Sequence, residues 1–155
     1  MKNTLKVLWM TAIVAVAGFS FASCLTFGGG GARDDAPEWM GGMVPAEWPS
    51  LDVWEDYGVA GGLQQPSGTT VVVAYSQNYA GVGRIFSVGL ESSGRAAFDN
   101  LVSQVERKGT WTVYKRESSR QEEAVSFVQD GYSIAIALDI PDNSIMIMVM
   151  TDNEE

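Results

Sequence analysis

From Glu122 to Thr151 the chain leaves room for little except hairpins. Three runs of strand-forming residues, Glu122 to Gln129, Tyr132 to Asp139 and Ser144 to Thr151, are separated only by Asp130-Gly131 and by Ile140 with Pro141-Asp142-Asn143. Asp-Gly suits a two-residue type I′ connection, and the Pro-Asp-Asn cluster reverses the chain again. In the middle run Tyr132, Ile134, Ile136 and Leu138 fall on one side, while Ser133, Ala135 and Ala137 fall on the other and would let a helix approach closely. The last run is apolar on both sides, Ile145, Ile147 and Val149 against Met146, Met148 and Met150. That is the pattern of a strand buried on both faces.

Upstream, Thr110 to Arg116 reads as a fourth strand of this group. Thr69 to Tyr75 and Arg84 to Leu90 form an earlier pair joined by a polar, glycine-bearing loop. Between the two groups, Ala97, Phe98, Leu101, Val102 and Val105 recur at helical spacing from Gly94 to Lys108. Ser92 or Ser93 is placed to cap this helix and Gly109 to end it. Ser50 can start a shorter helix carrying Leu51, Trp54 and Tyr57 on one side, closed by Gly58. The order β-β-α-β-β-β-β with tight turns predicts an α+β domain: a mostly antiparallel sheet of about six strands, one main helix on one face and a short N-terminal helix. The Trp48 to Tyr57 segment is the expected cover for the other face.

The N-terminus has a different character. Lys2 and Lys6 precede an apolar run from Val7 through Ala17, then small or aromatic residues to Ser23, in the manner of an export signal. The run falls short of the roughly 20 residues that span a bilayer, although adding Gly18 to Leu25 would make an uncleaved anchor. Phe21-Ala22-Ser23-Cys24 contains the chain's one cysteine and resembles the lipobox of bacterial lipoproteins, with Phe where Leu is usual. The resemblance implies acylation of Cys24, palmitate included, and cleavage before it. The competing reading is an ordinary signal peptide that leaves an idle thiol. Residues 1–23 are then the signal peptide and 24–44, with four consecutive glycines from Gly28, a tether. About 20 such residues reach roughly 25 Å as a flexible coil. Residues 45–155 form one domain, for which three of the chain's five Trp, three of its six Phe and all five Tyr supply core material.

The body resembles a loose group of small bacterial envelope lipoproteins without assigned activity. The landmarks are Glu47-Trp48-Pro49, Gln65-Pro66-Ser67-Gly68-Thr69 ahead of the first strand, and Lys108-Gly109 shortly before Trp111. In that group the aromatic follows the glycine directly, whereas Thr110 intervenes here. The likeness implies a fold and a place in the cell envelope. Leu25, standing where some lipoproteins carry an inner-membrane retention Asp, favours the outer membrane.

Composition removes several functions. No histidine is present, which eliminates Ser-His-Asp and Cys-His catalysis and the usual zinc sites. Without residues 1–23 the chain has 8 basic against 19 acidic residues, a charge of −11 that discourages nucleic acid. Gly81-Val82-Gly83-Arg84 precedes a strand, so it presents no helix N-terminus to a phosphate. The adjacent acids Glu55-Asp56 and Glu122-Glu123 diverge and read as solvated. Asp139, Asp142 and Asn143 could gather oxygens about a hard cation, but they read as a turn. Met146, Met148 and Met150 could offer thioethers to Cu(I), or simply fill core gaps beside Ile145 and Ile147. Trp39, Trp48, Trp54 and Tyr57 have two readings as well: a binding surface for a sugar such as peptidoglycan or for an envelope protein, or packing onto the sheet. The expectation is a membrane-anchored, non-catalytic binding or scaffolding domain without cofactor. The alternative is a small-ligand or metal-handling protein with its site between Trp48 to Tyr57 and the sheet.

Overall fold

A computed structural model describes residues 47–79, 83–91 and 94–151. Within them lie helix α1 (Leu51–Asp56), strands β1 (Thr70–Tyr79) and β2 (Gly83–Glu91), and helix α2 (Arg95–Arg107). Four further strands follow: β3 (Thr112–Ser118), β4 (Glu122–Gln129), β5 (Tyr132–Asp139) and β6 (Ser144–Thr151). The fold is α+β, and every strand pairing among the described residues is antiparallel.

The strands lie side by side in the order β1-β2-β6-β5-β4-β3. One hairpin forms one flank, and a four-strand meander returns from the far edge until β6 pairs with β2. Because β2 and β3 are separated by most of the sheet's width, the connection between them must travel across a face. Helix α2 is that connection. It rests on β5 through Phe98, Leu101, Val102 and Val105, the apolar side read from its periodicity. Arg95 pairs with Glu123 on β4 and Arg116 of β3 pairs with Glu106, tying both ends of the helix to the sheet.

Helix α1 lies on the same face as α2. Trp54, Tyr57, Val59 and Leu63 belong to one continuous core with Phe86, Val88 and Leu90 of β2, Ile134, Ile136 and Leu138 of β5, and Ile145, Ile147 and Val149 of β6. The expected division, one helix per face, is therefore corrected. The helices share the Ile134/Ile136 side, and the alanine side of β5 receives neither. Large branched side chains give a helix far more apolar area to cover than alanine does, which decides the side.

One turn and one helix cap also differ from expectation. Gly131 has φ +72 but Asp130 does not have positive φ, so this is not a type I′ turn, which requires both. Gly94 occupies the N-cap of α2, where no side-chain cap hydrogen bond is made; Ser92 and Ser93 lie outside the described residues. The C-terminal reading holds: Gly109 at φ +71 follows α2, and its N–H donates to Glu106 O at 3.1 Å.

Candidate functional site

The aromatic segment lies on the helix-bearing face of the sheet and is consumed by packing. Two residues past α1 the chain must turn sharply, and Gly58 at φ +75 allows it with the Tyr132 ring pressed against its Cα. This turn lays Trp54 against Phe86, T-shaped at 5.6 Å, and Tyr57 against the same ring at 5.4 Å. Trp48 tilts over Trp54 at 5.5 Å while its Nε1 donates to Leu63 O at 2.8 Å. The Tyr57 hydroxyl bonds Ser76 on β1, and Arg84 lies 5.0 Å over the Tyr57 ring while donating to Asp56 O.

Trp54 is 1% and Tyr57 4% exposed. Of the two readings open for Trp48, Trp54 and Tyr57, these positions follow packing onto the sheet rather than a binding surface: the three form a core cluster in which Trp48 is half-buried, and their rings occupy the space between this segment and the sheet. Trp39 and Cys24 lie outside the described residues, as do the predicted signal peptide and tether.

Beside this cluster an open groove of about 640 Å³ runs between the 61–67 loop and the C-terminal half of α2, lined by Gln64, Gln65, Asn100, Gln104, Arg107 and Lys108. Its polar atoms are largely spent on the joint itself. Gln104 accepts from Gln64 N at 2.7 Å and donates to Gln64 O at 2.9 Å, as a paired strand would. Asn100 accepts from Gln104, and Lys108 Nζ donates to Ala60 O at 2.7 Å. Burial pushes the Lys108 ammonium below its usual pKa. Sequence reading did not anticipate this groove, because Gln64 and Gln104 are 40 residues apart and carry no shared motif.

The acidic candidates resolve into separate roles. Glu123 serves Arg95. Glu122 sits opposite Asp139 across the β4/β5 ladder, and its pKa is raised, first by burial and then by the negative charges of Glu117 and Asp139. Asp139 Oδ1 accepts from Asp142 N at 3.2 Å and Asn143 adopts φ +48, the arrangement of a side-chain-bonded turn. Glu55 accepts from Gly61 N at 3.4 Å. Among the described residues no three of Asp, Glu, Cys or His converge on a metal-sized point.

The second face of the sheet, opposite the helices, carries Ile85, Ser87 and Gly89 of β2, Ala124 and Ser126 of β4, Ala135 and Ala137 of β5, and the three methionines of β6. Met148 is 6% exposed, and Met146 and Met150 are half-buried. Compared with known proteins, the chain matches no family model, no curated protein and no solved structure.

Proposed function

We propose that the protein is a lipid-anchored module of a bacterial envelope, held at a membrane by acyl chains on Cys24 and acting by non-catalytic binding. The observation that carries this reading is the position of the one cysteine, directly after Ala22-Ser23 at the close of an apolar run that starts behind Lys2 and Lys6. The architecture is compatible with it: from residue 47 onward the described chain has a core of its own, at the end of a glycine-rich stretch long enough to stand it off a surface. A formal charge of −11 after residue 23 keeps such a body soluble and repels it from anionic headgroups, so an anchor rather than surface adsorption would hold it there. Each buried acyl CH₂ contributes about 0.8 kcal/mol, and two or three chains make attachment durable.

The test is detergent-phase partitioning and intact mass of the natural product. Wild-type chain is expected in the detergent phase, with a mass equal to residues 24–155 plus acyl groups. Cys24→Ser is expected in the aqueous phase or with its leader retained. A wild-type mass showing a bare thiol refutes the anchor.

A further inference from the structure

The sulfur atoms of the described residues are three thioethers, and they stand in one row. Met146, Met148 and Met150 alternate along β6 with Ile145, Ile147 and Val149, which belong to the helix-covered core, so all three leave the sheet on the second face. Across the two flanking ladders Met146 and Met148 have small partners, while Met150 stands between Ile85 and Ser133. Met146 stands between Gly89 and Ala137, and Met148 between Ser87 and Ala135. Nothing bulkier than alanine or serine stands directly opposite either one across the sheet, so each is the largest side chain of its cross-strand row on this face. Met148 is buried at the middle of the three methionines, and Met146 and Met150 keep partial access on either side. Ser87, paired with Met148, has a fully buried hydroxyl without a hydrogen-bond partner. Of the described buried polar atoms left in that condition it is the one on this face, and apolar packing alone does not account for it.

We propose that this methionine row binds one soft monovalent cation, Cu(I), between Met148 and one of its two neighbouring methionines. Alternate residues on a strand lie about 6.6–6.8 Å apart at Cα, a span two methionine side chains close easily onto one ion, whereas Met146 and Met150 at roughly 13 Å cannot share it without Met148. Met148 is therefore common to either pairing. Thioethers are soft, uncharged ligands that select Cu(I) over zinc, calcium or magnesium. They also do not titrate, so the site keeps its ion in acid, where thiolate and imidazole ligands are lost to protons. The proposal is independent of the anchor, because it needs only residues of β6 and their neighbours.

The experiment uses the Cys24→Ser chain, which removes the competing thiol, and titrates it with Cu(I) against bicinchoninate under ascorbate. One equivalent is expected to bind both at neutral pH and at about pH 5. Met148→Leu should weaken binding roughly tenfold or more, and by a larger factor than Met146→Leu or Met150→Leu alone. Binding that vanishes at the lower pH, or that survives unchanged in the triple leucine variant, overturns the site. A loss produced by replacing Met40 and Met43 instead also overturns it. As a readout that requires no folded variant, Ag(I) should protect Met148 of the Cys24→Ser chain from peroxide oxidation, read by peptide mass; equal oxidation with and without Ag(I) refutes the proposal.

Discussion

The two faces of this sheet are built from the same strands and share every backbone hydrogen bond, yet they are packed by opposite rules. One face is bulky and branched, with Phe86, Val88, Ile134, Ile136, Ile147 and Phe127 meeting two helices and a cluster of aromatic rings. The other is mostly alanine, serine, glycine and methionine, with Ile85 opposite Met150, and receives neither helix. Stability follows apolar area removed from water, so the first face carries the fold while the second is free to be shaped by something else. A strand that looks equally greasy on both sides in sequence can therefore serve two purposes at once.

The comparison predicts unequal costs. Trp54→Ala on the first face removes a ring that touches both Trp48 and Phe86, and should destabilise by about 3–5 kcal/mol in urea or thermal unfolding. A cost below 1 kcal/mol would mean the aromatic cluster is an ornament on a core assembled elsewhere. Gly58→Ala tests how that cluster is seated. Its Cβ would meet the Tyr132 ring at 2.6 Å in a left-handed conformation, so a loss of about 2 kcal/mol or more is expected, with Tyr132 displaced.

On the second face Met148→Leu conserves volume and should cost less than about 1.5 kcal/mol, measured by the same unfolding curves. A loss as large as that of Trp54→Ala would erase the difference between the faces. The smallest effect is electrostatic. Glu122 binds a proton more readily folded than unfolded, so its contribution is most favourable at acid pH and is lost as pH rises through the folded-state pKa. Glu122→Gln should accordingly stabilise by a few tenths of a kcal/mol at neutral pH, the scale of like charges paired across strands, and give no benefit once pH falls below the unfolded carboxylate range. Denaturation midpoints across that pH interval read the sign directly.

Much of this architecture was legible along the chain. The limits of β4, β5 and β6 coincide with runs of alternating or β-branched residues bounded by turn signals, and the buried side of α2 is the one its spacing defines. The edge strand β3 was harder. All seven of its residues are exposed and its register slips between Val113 and Lys115, because an edge strand needs no apolar row and is protected by charge and irregularity instead. Of the candidate site residues, composition named the aromatic cluster but could not tell a buried ring from an exposed one, and the Gln64 to Gln104 joint left no signal at all.

Period and turn chemistry are local, so the sequence by itself determined where the strands run, which residues of β5 and β6 travel together, and that the sheet would be antiparallel. Only the tertiary structure decided which side the helices occupy. Alternation groups residues into two sets without saying which set a distant element will meet. That choice was made when α2 had to cross from β2 to the far edge, and when Trp54 and Tyr57 found Phe86 on the same side of the sheet.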